Sequence, residues 1–407
     1  MHGTLPSRPA SASRLALFAE PDFRRLWHVG LVVFVVRWLE TLAVAVFVYQ
    51  QTGSAFLVAM MTLLRLLPMG LFGAFIGAVA ERVERRSLLL LILGVSLVTS
   101  LALLLLALGG LLAVWHLAIA SFINGLSWAA DNPVRRMMIG EVAGPDRMGL
   151  AMSIDAGSNN ASRMLGPTVG GLLLAYGGIE AGFALGVLLY CTALPAAWRL
   201  RCRNGGGASA GRPVLARIRE GMEAVRRDPR LVGTLIVTAI FNLFGWPCTS
   251  MVPVIGADRL GLGPEGIGLL ASMDGVGAFT GAVLMALFSR PAIHRHCYLG
   301  GILLYLVMMP LFALVPWVVP AALALFLAGL GQAGFAIMQA TLVYLYSPPE
   351  LRSRVLGLLS VCIGIGPLGF LMLGGLAEWL GAPAATLAMG CIGLASMALT
   401  QRYWRRI

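Results

Sequence analysis

Residues 199–230 read RLRCRNGGGASAGRPVLARIREGMEAVRRDPR, the longest polar interval in a 407-residue chain that is 58% hydrophobic and 12% charged. Nine arginines stand here against Glu220, Glu223 and Asp228. Gly205-Gly206-Gly207-Ala208-Ser209 has the composition of a flexible linker. From Pro213 to Asp228, Val214, Ile218 and Val225 recur on one helical side with arginines opposite, the pattern of a short helix lying on a membrane surface. Similar lengths of apolar chain flank the interval, so it reads as a polar bridge between two membrane halves. Four units are expected: an N-terminal segment (1–26), a first half (27–198), the bridge (199–230), and a second half with a short tail (231–407).

A soluble domain carries about twice this charge fraction, and a mean hydropathy of +0.85 points the same way. Apolar runs long enough to span a bilayer, roughly 17 to 25 residues each, fall near 27–50, 56–80, 87–109, 114–134, 148–176, 179–198, 231–254, 266–288, 297–315, 318–346, 355–378 and 383–401. The expected fold class is an all-α membrane protein of twelve helices in two six-helix halves.

All 30 basic residues are arginine, and the net charge is +12. In a soluble protein that balance would suggest nucleic acid. Here position matters more than the sum, because loops facing the cytoplasm collect positive charge. Alternate connections and both tails hold 26 of the 30; the opposite connections hold only Arg259, and three lie inside spans. The expectation is a multi-pass protein of a bacterial inner membrane with both termini in the cytoplasm. The first 24 residues lack an apolar signal core, and Leu15 to Trp27 reads as an interfacial lead into the first span. The six cysteines form no CxxC pair and the five histidines have no ligand spacing, so no metal or cofactor is expected. A weak internal likeness lays Gly73–Arg82 on Gly281–Arg290 at an offset of 208, as a duplicated six-helix unit would.

Gly77-Ala-Val-Ala-Glu81-Arg82-Val-Glu84-Arg85-Arg86 resembles the GxLaDRxGRR loop between the second and third helices of the major facilitator superfamily. Glu81 replaces the usual Asp, and Glu84 the usual second Gly. The acidic substitution, the Thr52-Gly53-Ser54 turn and the RIREGMEAVRRDPRL run before Asn242-Leu-Phe-Gly245 look like the branch that includes the enterobactin exporter. Gly166-Pro167-Thr-Val-Gly170-Gly171 resembles the GPxxGG core of a motif associated with exporters, although two upstream positions that are usually Gly are Ser153 and Ser162. The resemblance covers nearly the whole chain. It implies two halves related by an axis along the membrane normal, with Gly77, Glu81, Arg82, Arg85 and Arg86 acting as a conformational latch. The plainer alternative for that loop is a charged turn that fixes topology.

Six ionisable residues fall deep in spans, where charge is costly and commonly functional. Arg37 and Glu40 stand three apart in the first span, on one face, and are expected to pair. Arg65 lies in the second span. Asp155, Asn159 and Arg163 form one polar stripe on the fifth, and Asp274 lies in the eighth at a depth matching Arg65 under the repeat. Each has a static alternative, an arginine neutralising a carboxylate to hold helices together. Asp155 or Asp274 is the expected proton carrier. Asp131 and Arg135 read as a pair at the end of the fourth helix. Asn242, Gln332 and Gln339 either line a cavity or bond between helices.

The expected function is a proton-coupled secondary transporter, a monomer exporting a small molecule (a siderophore, drug or metabolite) by alternating access. The competing reading is a lipid-moving or uncoupled membrane protein of the same fold. No nucleophile–base pair, metal spacing or nucleotide-binding loop supports an enzyme.

Overall fold

A computed structural model of the chain describes residues 17–144, 147–201, 222–223, 225–288, 290–348 and 351–407, with the side chains of 73–82, 291 and 353–354 outside the description. The Gly205–Ser209 linker, nearly all of the surface helix expected over 213–228, and the side chains of Gly77, Glu81 and Arg82 therefore lie outside the described residues. Of that surface helix, Val225 is buried against the second half, and 225–227 are helical.

The helices follow the apolar runs: α1 Pro21–Thr52, α2 Ala55–Arg82, α3 Arg85–Leu108, α4 Val114–Ala143, then one continuous 51-residue stretch, Met148–Trp198. Gly178 interrupts that stretch with φ +65°, a left-handed conformation that glycine adopts without a Cβ clash. The chain doubles back there. Cβ atoms built on Gly166 and Gly186, on opposite sides of Gly178, would meet α1 at Trp38 and at Val36 and Glu40. At the other end of α1, Trp27 bonds Ser158 and the next residue, His28, bonds Thr192. The stretch is therefore two antiparallel helices, α5 (148–177) and α6 (179–198).

The second half begins with α7 (Pro229–Asp258), whose N-cap Asp228 accepts from the Arg230 backbone N–H, with Pro229 at the first helical position. It continues as α8 Pro264–Phe288, α9 His294–Leu314, α10 Val318–Tyr346, α11 in two pieces (Arg352–Ile363 and Gly366–Leu380) and α12 Ala382–Leu399. Among the described residues, ten helical segments are long and apolar enough to cross a membrane. Dividing Met148–Trp198 at Gly178 and adding α4 brings the described helices to twelve.

Two helices are less regular than their apolar runs suggest. The middle of α7 winds as a π turn over Phe241–Gly245 and a tighter 3-10 turn over Trp246–Met251. Pro247 and Pro253 remove backbone donors there, so the α ladder cannot run through. The break in α11 falls just before Pro367, for the same reason. Conversely, α4 does not stop near 134. It continues to Ala143, with Pro133 inside it.

The packing differs at the two ends of the bundle. On the side where the bridge lies, two apolar cores stand apart. One holds Phe23, Leu89, Met138 and Ala193 of the first half; the other holds Val225, Leu231, Val343 and Val355 of the second. On the far side a single core takes residues from both, Val46 and Val58 together with Ile255, Ile267 and Leu373. Polar contacts agree. Tyr49 of α1 bonds Asp258 of α7, and Ser54 before α2 donates to Glu378 of α11 at 3.3 Å. Between described residues, no hydrogen bond or ion pair joins the halves on the bridge side. Among the described residues the halves are joined at the far end and share no polar contact toward the bridge.

Candidate functional site

The seam between the halves is closest along α5 and α8, and the GPxxGG segment explains why. A Cβ on Gly166 would lie 2.6 Å from that of Trp38, and one on Gly170 would lie 2.8 Å from the Leu39 carbonyl; both press on α1 inside the first half. Gly171 faces the other way. Its Cβ would meet the Gly268 Cα at 2.9 Å, and a Cβ on Gly268 would sit 2.5 Å from the Pro167 carbonyl. The two backbones touch because neither carries a side chain. One helical turn below, Ser272 bonds both the Thr168 N–H, at 3.1 Å, and the Thr168 hydroxyl, at 2.7 Å.

That contact delivers Arg163 of α5 to the second half. Its guanidinium bonds Asp274 of α8 and the Gln332 amide oxygen of α10, and it lies 5.5 Å from the Trp38 ring. All three partners fall near the middle of their helices. Both side chains of the ion pair are mostly buried, 16% and 13% exposed, so the interaction is weakly screened. Arg163 uses only one oxygen of the carboxylate. Asp274 Oδ1 is buried and has no hydrogen-bond partner among the described residues, nor has the hydroxyl of Tyr305, which feels the Asp274 charge.

The stripe on α5 exists, but its members answer to different partners. Asp155 does not pair with Arg163. It bonds Arg135, which also donates from Nε to both oxygens of Asp131, at 3.3 and 3.2 Å; Arg136 lies 3.9 Å from Asp155. Asp131, Arg135 and Asp155 are each less than a twentieth exposed. The Asp131–Arg135 pair is thus no helix-end feature. Arg135 and Arg136 lower the local hydropathy, which made α4 look finished where it is most deeply packed.

Arg37 and Glu40 do not pair either. Three residues advance a helix by about 300°, enough to send them to different neighbours. Glu40 turns toward α2, α3 and α4. It accepts from Ser100 at 3.0 Å and from Asn124 at 3.3 Å, and lies 3.9 Å from Arg65. Arg65 also bonds Thr41. Glu40, Thr41, Arg65 and Asn124 line a cavity of about 20 Å³, with room for about one water molecule. Arg37 turns toward α5. Its Nη2 donates to Asn159 Oδ1 at 2.6 Å, and Trp38 Nε1 donates to the same oxygen at 3.2 Å. Its guanidinium carbon lies 4.6 Å from the Trp128 ring and 5.2 Å from Trp38.

Gln339 takes the interhelical alternative, and Asn242 bonds within its own helix. Asn242 bonds the Thr238 carbonyl of its own helix at 2.9 Å, and Gln339 bonds the Thr238 hydroxyl at 3.0 Å. Arg85 bonds Glu141, and Arg86 bonds the Trp198 carbonyl, so the described part of the loop after α2 ties α3 to α4 and α6. Trp38, Trp128, Tyr49, Asp258 and Glu378 escaped the sequence reading. Trp38 was marked by its place beside an intramembrane arginine. The outer contacts sit at helix ends, where a polar residue is ordinary.

Over residues 12–405 the sequence matches the family described as transmembrane secretion effector. It is 29% identical over 381 residues to the multidrug efflux pump Tap of Mycolicibacterium fortuitum, covering 88% of each chain. It is 23% identical to macrolide efflux protein A of Streptococcus pyogenes, over 66% of this chain and 67% of that one. Among solved structures, a bacterial homologue of the human lysosomal transporter Spinster, inward-facing and unoccupied, superposes with a TM-score of 0.70 over 98% of each chain at 15% identity. That likeness concerns the fold.

Proposed function

This chain belongs to the transmembrane secretion effector family of the major facilitator superfamily, and we propose that it is a proton-driven exporter in which Asp274 carries the proton. The observation that supports this most is the Arg163–Asp274 bond across the seam, with one carboxylate oxygen buried and unengaged. Ionised, Asp274 holds Arg163 and the seam. Cargo that draws the Arg163 guanidinium away releases that hold and lets the halves rock about the midplane, leaving Oδ1 open to protonation from the far side. With the seam open, a lone carboxylate at that depth is costly while charged, which favours its neutral form. The proton taken up on the far side leaves again when the far side closes and Arg163 recaptures the carboxylate. Asp155, enclosed with Arg135 inside one half, fits a structural role instead.

The arginine distribution supports a cytoplasmic bridge, so the parted end faces the cytoplasm of an inner-membrane protein and receives cargo there. The efflux relatives and the enterobactin-exporter likeness agree on outward transport and differ on cargo. External labelling of single cysteines near Gly53, Gly110, Gly178 and Gly263, without labelling of 205–209, tests that orientation. Coupling is tested in inverted vesicles with an imposed pH gradient, following uptake of fluorescein and ethidium. Asp274→Asn is expected to abolish accumulation driven by the gradient and its pH dependence, whereas Asp155→Asn keeps both in whatever protein folds. Uphill accumulation by Asp274→Asn would remove Asp274 as the carrier.

A further inference from the structure

The buried arginines near the midplane differ in one respect. Arg65 faces Glu40, Arg135 faces Asp131 and Asp155, and Arg163 faces Asp274. Among the described residues no carboxylate comes within ion-pair distance of Arg37. The acidic group that acts on it, Asp131, is already bonded to Arg135. Only Nη2 is bonded; among the described residues Nε and Nη1 have no hydrogen-bond partner, and neither is fully enclosed. Arg37 is nevertheless held firmly, by Asn159 and by the Trp38 and Trp128 rings.

Trp38 joins this group to the seam. The guanidinium carbons of Arg37 and Arg163 lie 5.2 and 5.5 Å from its ring. An indole flanked by two arginines, with a second indole alongside, presents planar apolar surface next to unsatisfied cationic donors. A guanidinium fork with two free N–H positions matches a carboxylate bidentately, and aromatic rings stack on Trp faces. An organic cation would instead meet an uncompensated positive charge at low dielectric.

We propose that Arg37, Trp38 and Trp128 form the cargo subsite of this exporter and that it takes an aromatic carboxylate. The assignment rests on the transporter reading above. It also gives coupling a route: a bound carboxylate adds a second anion beside Arg163, competing with Asp274 for that guanidinium, so cargo and proton act on one residue.

The test is equilibrium binding to the purified full-length protein in detergent, which needs no working proton coupling. Quenching of tryptophan fluorescence reports fluorescein, an aromatic carboxylate, and ethidium, an aromatic cation. Wild type is expected to bind fluorescein at least tenfold more tightly than ethidium. Arg37→Gln should weaken fluorescein about tenfold without weakening ethidium, with Arg37→Lys falling between. Trp128→Leu should weaken fluorescein severalfold and supplies the second arm should Arg37→Gln not fold. Ethidium binding as tight as fluorescein in wild type, or fluorescein affinity within twofold of wild type in either Arg37→Gln or Trp128→Leu, overturns the proposal. Failure of the vesicle experiment with these binding results intact would overturn the coupling scheme alone.

Discussion

Gly170 and Gly171 are neighbours in sequence with opposite mechanical duties, and adding one methyl to each separates them. A Cβ on Gly171 meets the Gly268 Cα at 2.9 Å and its nitrogen at 3.2 Å, with the Pro264 carbonyl closer still, and all are backbone atoms that cannot rotate away. Ordinary contact requires roughly 3.5–4.0 Å, so α5 and α8 must part by about 1 Å or more. Overpacking of this kind costs roughly 1–3 kcal/mol. The cost arises only where the far-side seam is closed, so it shifts the equilibrium toward a far-side-open form by about 5- to 150-fold. A methyl on Gly170 meets Leu39 of α1, inside the first half. That contact persists whichever end is open, so Gly170→Ala should lower thermal stability and leave the equilibrium alone. Spin labels at Leu111 and Val319, exposed far-side positions on opposite halves, report the separation directly. Gly171→Ala should lengthen the distance distribution and Gly170→Ala should not. Equal distributions for the two variants, or opening by Gly170→Ala alone, would refute the division of labour.

Arg135→Leu leaves Asp131 and Asp155 buried without their cation and should cost about 3–5 kcal/mol, read as a large drop in the detergent melting temperature. Glu40→Gln should destabilise the protein, with rescue when Arg65→Gln is added and none when Arg37→Gln is added, because Arg65 is the facing cation; thermal unfolding of both double variants decides it. Asp228→Ala removes the α7 N-cap and should cost about 1 kcal/mol. Although partial burial works to raise it, the bonds from Arg230 hold the Asp228 carboxyl below its ordinary value. Its contribution is therefore complete at neutral pH and is lost as pH falls through that lowered value, so the variant and wild type should converge in acid.

The helices were legible in the sequence because bilayer thickness sets their length and arginine marks their ends. The depth of the intramembrane ions was legible too, since an ion inside an apolar run stands out. What could not be read was who faces whom. Helix spacing placed Asp155, Asn159 and Arg163 on one stripe, yet a few tens of degrees and the tilt of neighbouring helices send Asp155 to Arg135, Asn159 to Arg37 and Arg163 across the seam. Arg37 and Glu40 were misjudged for that reason. The GPxxGG segment announced close packing without saying that Gly170 and Gly171 serve different partners. The interruptions in α7 and α11 were carried by Pro247, Pro253 and Pro367, signals outweighed by the apolar residues around them.

The separate apolar cores on the bridge side bear on how such a chain is made. Phe23, Leu89, Met138 and Ala193 close against one another without any residue of the second half. The ribosome delivers the first six helices before the rest, and domains complete themselves in that order. The first half can therefore reach most of its burial while the second is still being synthesised. The far-side core, where Val46 and Val58 wait for Ile255 and Leu373, can form only once the later helices arrive. Biogenesis then ends with the joining of the surfaces that the proposed rocking would part.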